Sequence, residues 1–298
     1  MRTPRPMMRY AIRHVTRFDY DEPVAFARCN LRLQPIEWPG QRIERYKLTI
    51  LPGGRTKPAR AQAGLANVVR LVIESPVEVL TIESIANVVV ERLIPVPGAG
   101  DPSLRDIGAM ARASRDLSAL SPAAYLFPSP RIPIDDGIAN WCAQELDPDR
   151  GGLDAAIALA QRIQREFAFD PEATLVDTPP AQAFANRHGV CQDFAQIMIC
   201  GLRAAGLPAA YASGYLRTLP PPGEERLVGA DATHAWVLLW CGPDHGWIGV
   251  DPTNGIWMAE DHVIVAIGRD YGDIAPIDGV VLGSGAQAMD VSVDVAPV

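Results

Sequence analysis

Three side chains in the second half of this 298-residue chain are of the types that make an activated cysteine nucleophile. Cys191 follows a glycine at 189, His234 lies in the run Thr-His-Ala-Trp, and Asp251 follows a short apolar segment. A histidine that takes the thiol proton, held by a carboxylate that orients its ring, lets cysteine attack a carbonyl carbon. The order of these residues predicts thiol-based acyl chemistry.

The thiol is predicted to lie at the start of a helix. Apolar residues recur at three- and four-residue spacing through 191–205, and Gly206 with a proline two residues later marks the end. Unpaired N–H groups and the helix dipole favour a thiolate in the first turn, but the dipole contributes only roughly 0.3–1 kcal/mol. Because Asp193 in the same turn opposes this effect, Cys191 needs a cationic partner.

The histidine and the aspartate are predicted on the two strands of a hairpin. The segment 233–241 has the pattern of a strand, a turn follows at Gly242, and 246–250 forms the return strand. Asp251, at the end of the return strand, is therefore expected to lie beside His234. It would accept a hydrogen bond from one imidazole nitrogen and fix the tautomer of the ring.

Each residue also has an ordinary structural explanation. A free cysteine is usually buried, a strand histidine can be part of a core, and an aspartate before proline is a common turn residue. His188 is a second candidate base, ranked below His234. His234, His245 and Asp251 could instead converge on a cation, but no His-x-x-x-His or Cys-x-x-Cys pair is present. We predict no metal and no cofactor.

The motifs resemble those of the bacterial transglutaminase-like proteins, within the papain-like cysteine enzyme group. The resemblance spans about residues 150–298. The motifs that carry it are Gly-Val-Cys-Gln-Asp-Phe-Ala from Gly189, the run from Leu202 to Tyr211 that continues into Ser-Gly-Tyr-Leu from Ser213, His-Ala-Trp from His234, Asp-Pro-Thr from Asp251, His262, Val263, Ala266, Gly-Arg-Asp-Tyr from Gly268, and Asp273. It implies that Cys191 is the nucleophile, His234 the general base and acid, and Asp251 the orienting carboxylate.

This resemblance implies a thioester intermediate formed from a peptide or carboxamide bond of a peptide or protein substrate. The backbone N–H of Cys191 is expected to bind the oxyanion, and Gln182 and Gln192 are candidates for the second donor. Hydrolysis by a cysteine peptidase or amidase is the first expectation. A protein-glutamine transglutaminase, and a non-catalytic peptide- or glycan-binding module with an unused triad, are the alternatives.

The predicted fold is α+β. Residues 1–95 contain strand-like runs separated by Pro and Gly turns, which predict an all-β, sandwich-like domain similar to the one that precedes the catalytic domain in bacterial members of the family. Residues 96–133 are rich in proline and are predicted to be a linker. Residues 134–298 are predicted to form the papain-like transglutaminase core, with helices first and an antiparallel sheet after them.

Composition excludes several classes of partner. A net charge of −8 and a pI near 5.2 argue against nucleic acid, which needs a basic surface. The chain has no apolar stretch long enough for a membrane span, and its first residues lack a secretory signal. Five scattered cysteines suit a reducing compartment, so a cytoplasmic location is expected. Nothing in the sequence specifies an oligomeric state.

Overall fold

The computed structural model describes residues 7–98, 100–218 and 232–298. The helices are α1 Leu104–Ala113, α2 Asp136–Cys142, α3 Gly152–Glu166, α4 Pro180–Asn186, α5 Cys191–Ala204 and α6 Tyr271–Ile274, with a 3-10 helix at Pro122–Tyr125. The strands are β1 Met8–Val24, β2 Phe26–Gln34, β3 Gln41–Leu51, β4 Arg55–Ala59, β5 Leu65–Ile73, β6 Val77–Val90, β7 Ala168–Phe169, β8 His188–Gly189, β9 Ala209–Leu216, β10 Ala232–Trp240, β11 Trp247–Asp251, β12 Ile256–Trp257, β13 His262–Gly268, β14 Ile277–Leu282 and β15 Gln287–Pro297. This mixture of helices and strands agrees with the predicted α+β class.

Two antiparallel sheets organise the chain. The smaller has the strand order β15-β1-β6-β3, and the larger has the order β12-β11-β10-β9-β13-β5-β2-β14, with β4 paired to β5. Strands from the N-terminal region lie in both sheets, and they pack together over a buried apolar cluster that includes Leu31, Leu71 and Leu80. The predicted sandwich-like N-terminal part is confirmed. The larger sheet continues from it into the second half of the chain.

The C-terminal strands return to the N-terminal region. β15 pairs with β1 from Tyr10 opposite Pro297 to Tyr20 opposite Gln287, and β14 pairs with β2. The predicted division places these strands with the catalytic part, 134–298, whereas the structure pairs them with N-terminal strands. The physical reason is that β1 and β2 would otherwise expose a row of unpaired backbone groups along one edge.

Helix α5 is the buried centre of the second part. Its residues from Gln192 to Arg203 are all buried, and it packs against α2, α3, α4, β9 and β10. The predicted stop signal is confirmed, because Gly206 has a φ of +75° and the N–H of Leu207 donates to the carbonyl of Leu202 at 3.0 Å. Apolar residues on several faces of the helix require this enclosure.

The predicted linker contains regular structure. Helix α1 begins after Ser103, whose hydroxyl accepts a hydrogen bond from the N–H of Asp106, and it buries Leu104, Ile107 and Ala111. The prolines on both sides mask this short amphipathic pattern in the sequence. Within the three described ranges, no helix combines the length and apolar character that crossing a bilayer requires.

Gly201 allows α2 to approach α5 closely. A Cβ at this position would lie 2.2 Å from the Cys142 sulfur and 2.5 Å from the Cys142 Cβ. We expect Gly201→Ala to lower the free energy of unfolding by about 1–3 kcal/mol, because the overpacking exceeds the gain in helix propensity. Urea unfolding followed by circular dichroism measures this change.

Gly98→Ala is the matched control. Its added Cβ would meet no described atom within 4 Å, so its free energy of unfolding should change by less than ~0.5 kcal/mol. If Gly201→Ala unfolded at the same urea concentration as the wild type, the close packing of these two helices would be contradicted.

Candidate active site

The first turn of α5 places Cys191 at the protein surface. Val190 is the N-cap, and its N–H donates to Asp193 Oδ2 at 2.8 Å. The hydroxyl of Thr174 donates to the same oxygen at 2.6 Å. Only glycine fits at Gly189, because a Cβ there would lie 2.6 Å from Asp193 Oδ2. Cys191 is partly exposed, whereas the other four cysteines are buried.

His234 and Asp251 meet across the β10–β11 pair. Val237 lies opposite Val250, and Asp251 is the last residue of β11. His234 Nε2 and Asp251 Oδ2 are 2.9 Å apart. Asp251 has no exposed surface, and the His234 side chain is 10% exposed. The hairpin predicted from the sequence therefore brings the two side chains into hydrogen-bond contact.

The second ring nitrogen of His234 is available to the thiol of Cys191. Because Nε2 is engaged with Asp251, Nδ1 is the ring nitrogen left to interact with Cys191, which lines the same cleft. Burial alone lowers the pKa of His234, but the hydrogen bonds with Asp251 and Cys191 outweigh it and raise the pKa to about 10. An imidazole with this pKa keeps its proton at neutral pH, which is the charge state that stabilises a neighbouring thiolate.

Asp251 is a buried carboxylate with many hydrogen bonds. Its Oδ1 accepts from the backbone N–H groups of Thr253 at 2.9 Å and Asn254 at 3.3 Å, and its Oδ2 accepts from the Asn254 side-chain amide at 2.7 Å. Burial favours the protonated form, but the bonds from His234 and His262 outweigh it and hold the pKa of Asp251 far below its usual range. The carboxylate is therefore ionised and fixed opposite His234.

His262, the first residue of β13, is a second histidine on this carboxylate. Its Nε2 lies 3.2 Å from Asp251 Oδ2, and its Nδ1 accepts a hydrogen bond from the Ala259 N–H at 3.3 Å. These contacts place the ring proton on Nε2. Burial lowers the pKa of His262, so its ring stays neutral. The sequence includes His262 in the family motif but gives it no role, because the motif does not show which strand ends meet.

His234, Asp251 and His262 offer potential metal ligands within 4.8 Å of one another. This set differs from the alternative predicted from the sequence, because His245 lies 3.4 Å from Asp101 instead. Both histidines face Asp251 through a ring nitrogen that shares its proton with the carboxylate. Hydrogen bonding alone therefore accounts for the positions of the three side chains.

Cys191 and His234 line one cleft of about 350 Å³. Aromatic and polar side chains form much of its remaining wall: Phe169, Gln192, Tyr211, Ser213, Thr233 and Tyr271. Phe169 is 59% exposed, and Thr233 is exposed as well. Among the described residues, these two leave the rim of the cleft open to solvent.

The two glutamines predicted as oxyanion donors lie in different places. Gln192 lines the cleft, but its Nε2 donates to the carbonyl of Val176 at 2.9 Å. Gln182 is exposed on α4 and is not among the residues that line the cleft. His188, the alternative base, lies in β8 and is also outside the cleft lining. The fold brings Cys191 to the His234–Asp251 pair and leaves Gln182 and His188 apart from them.

Comparison with protein families gives two matches. Residues 139–252 match the transglutaminase-like superfamily, and residues 10–89 match the bacterial transglutaminase-like N-terminal region. An uncharacterised protein of Mycobacterium tuberculosis, Rv2569c, is 34% identical over 296 residues, which cover 97% of this chain and 93% of the relative. The chain belongs to the bacterial transglutaminase-like family.

Two further proteins are similar to this chain. A crystal structure from Cytophaga hutchinsonii, described as a candidate cysteine protease, covers 100% of this chain and 93% of its own with a TM-score of 0.77 at 19% identity, and it confirms the predicted papain-like transglutaminase fold. A protein-glutamine gamma-glutamyltransferase of Pseudomonas aeruginosa is 41% identical over 100 residues, covering 32% of this chain and 15% of that protein. The solved structure shows the shared fold, and the family match identifies the transglutaminase-like core.

We expect iodoacetamide to alkylate Cys191 readily at about pH 6, well below the pKa of about 8.5 for a free thiol. The raised pKa of His234 keeps an imidazolium beside the sulfur at that pH. Burial raises the pKa of Cys142 to about 12 and also raises that of Cys200, so both should stay unlabelled. Peptide mass spectrometry after short pulses across the pH range measures the labelling.

Two histidine variants test the source of this reactivity. His234→Ala should move the alkylation of Cys191 to higher pH, because the cation that stabilises the thiolate is lost. His188→Ala is the matched control and should label like the wild type. Equal losses in the two variants, or equal labelling of Cys191 and Cys200 in the wild type, would contradict an imidazolium-stabilised thiolate.

Proposed function

We propose that this chain is a thiol-dependent acyl-transfer enzyme, a cysteine peptidase or amidase. In this proposal Cys191 is the nucleophile, His234 the general base and acid, and Asp251 the carboxylate that orients His234. The observation that carries it is the position of His234, which hydrogen bonds to a buried carboxylate through Nε2 and lines the same cleft as the Cys191 thiol. Such a three-part arrangement is the requirement for an activated nucleophile.

The proposed reaction begins with the proton already on His234. The sulfur attacks the carbonyl carbon of a peptide or carboxamide bond, and the electron pair of the C=O bond moves to oxygen. The Cys191 N–H, which has no partner within the helix at the start of α5, binds that oxyanion. His234 then gives its proton to the leaving nitrogen as the C–N bond breaks, which leaves a thioester. Asp251 keeps the ring oriented in both steps.

Hydrolysis is the favoured fate of the thioester. The open rim at Phe169 and Thr233 lets water reach the sulfur, within the described part of the chain. A second candidate, transfer to a primary amine, is favoured by the 41% identity to a protein-glutamine gamma-glutamyltransferase over 100 residues. The two functions share every step up to the thioester and differ only in the acceptor.

A peptide or protein is the proposed substrate. The net charge of −8 argues against nucleic acid as a partner. A cytoplasmic location remains our proposal, and it is supported by five cysteines that form no disulfide. Neither a cofactor nor a metal is required by the proposed steps.

Mass spectrometry of a glutamine-containing peptide pool, incubated with and without an added primary amine, tests the function. A peptidase adds one water and splits a peptide, an amidase converts a side-chain carboxamide to a carboxylate, and a transglutaminase replaces ammonia by the amine. We expect the first or second product in both incubations, because water has access to the thioester.

Cys191→Ala is the control and should abolish every product. Products that require the added amine would overturn hydrolysis in favour of transfer. If the wild type and Cys191→Ala gave the same peptides while His234→Ala alkylated like the wild type, a binding module with an unused triad would be the better account.

A further inference from the structure

Tyr211 is a buried tyrosine whose hydroxyl has no role in the proposed mechanism so far. It lies on β9 in the core cluster beneath α5, it is 2% exposed, and its ring makes an edge contact with Tyr271 at 6.5 Å. Its hydroxyl makes no hydrogen bond with any residue in the ranges 7–98, 100–218 and 232–298. Tyr211 also lines the cleft that contains Cys191.

The other fully buried tyrosines differ from Tyr211 in this respect. Tyr10 donates to Asp261 at 2.7 Å, and Tyr125 donates to the carbonyl of Ala119 at 2.9 Å. The hydroxyl of Tyr215 lies 3.0 Å from a ring nitrogen of His14. These three hydroxyls are therefore satisfied inside the protein. The Tyr211 hydroxyl instead retains some exposed surface in the cleft, where a bound substrate can accept its hydrogen bond.

The electrostatic surroundings keep this hydroxyl protonated. Burial, followed by the negative charges of Cys191, Tyr271, Asp193 and Asp270, raises the pKa of Tyr211 well above its ordinary value. The group therefore offers an O–H donor throughout the working pH range. A donor in the wall of the cleft, close to the thiol, suits an acceptor oxygen that carries developing negative charge.

Among the candidates weighed so far in the described ranges, none supplies such a donor for the proposed acyl transfer. Its oxyanion requires a second hydrogen bond besides that of the Cys191 N–H. The Gln192 amide already donates to Val176, and Gln182 lies outside the cleft lining. Ser213 lies on the same face of β9, but a serine hydroxyl reaches only one bond beyond Cβ.

We propose that the Tyr211 hydroxyl is the second oxyanion donor of this site. This inference rests on the proposed function of Cys191. When the sulfur bonds to the carbonyl carbon and the C=O electron pair moves to oxygen, Tyr211 donates a hydrogen bond to that oxygen without giving up its proton. When the C–N bond breaks and the carbonyl re-forms, the leaving nitrogen takes its proton from His234, and Tyr211 is unchanged.

Two small reagents that react with Cys191 distinguish oxyanion stabilisation by Tyr211 from an effect of Tyr211 on the sulfur. p-Nitrophenyl acetate acetylates the sulfur through a tetrahedral oxyanion and releases p-nitrophenolate, whereas iodoacetamide alkylates the sulfur by direct displacement of iodide, with no oxyanion. We expect Tyr211→Phe to slow the p-nitrophenolate burst by ~100-fold, the size reported for loss of one oxyanion donor. The rate and pH profile of Cys191 alkylation should match the wild type.

Tyr215→Phe is the matched control on the same strand. It should keep both rates but lower the melting temperature, because it removes a hydroxyl that has internal partners. Tyr211→Phe should melt at about the wild-type temperature, because no hydrogen bond among the described residues is lost. A lower melting temperature for Tyr211→Phe would show that its hydroxyl serves the fold and would overturn the proposal.

Each kinetic outcome decides the question. The burst of Cys191→Ala is the background that is subtracted. An unchanged burst in Tyr211→Phe overturns the oxyanion role. That result would also be expected if Tyr211 bound a substrate side chain, because acetate has none. Equal slowing of acetylation and alkylation means that the hydroxyl acts on the sulfur instead. If the wild type itself shows no burst above Cys191→Ala and no preferential alkylation of Cys191, the proposed function fails, and this inference fails with it.

Discussion

One buried carboxylate determines the arrangement of the site. Asp251 has no exposed surface and accepts five hydrogen bonds, from His234, His262, Thr253 and twice from Asn254. An ionised carboxylate is unstable out of water unless such bonds replace its hydration. The donors come from β10, from β13 and from the turn after β11. These elements are therefore fixed relative to one another, because moving any of them would leave a buried charge with fewer partners.

The two histidines on Asp251 carry different charges because their surroundings differ. His234 also lines the cleft beside Cys191, and its pKa is raised. His262 is enclosed, its second nitrogen accepts from a backbone N–H, and its pKa is lowered by burial, with the charge of His234 acting in the same direction. Asp251 thus binds two imidazole rings in different charge states. The His234 ring is charged and can transfer a proton, whereas the His262 ring is neutral and only donates a hydrogen bond. The neutral ring completes the hydrogen bonds of Asp251 without competing for the positive charge.

Local patterns in the sequence predict the parts of the site that lie on single elements. The helix that begins at Cys191 follows from its apolar spacing and its glycine stop, and the pairing of His234 with Asp251 follows from a short hairpin. Tyr211 and His262 could not be placed in the same way. Their roles depend on the order β11-β10-β9-β13, and strand order across several connections is not encoded in any short motif. For the same reason, local sequence patterns do not predict that β14 and β15 pair with N-terminal strands.

The N-terminal part of the chain reaches the site through β13. The side-chain nitrogen of Gln41 donates to the carbonyl of Ile264 at 2.8 Å, and its oxygen accepts from the Ile264 N–H at 2.8 Å, next to a register shift between β13 and β9. Nη1 of Arg92 donates to the carbonyls of Ala259 and His262, both at 2.8 Å. These two buried side chains satisfy backbone groups on both sides of the histidine that holds Asp251.

A continuous series of contacts therefore leads from Gln41 and Arg92 through His262 and Asp251 to the ring that faces Cys191. The same sheet carries strands from both parts of the chain, with β5 paired directly to β13. Because backbone groups at a register shift need partners that the sheet itself does not supply, the N-terminal residues that provide them are structural components of the site. The N-terminal strands are thus better understood as support for the histidine–carboxylate pair than as an independent module joined to it.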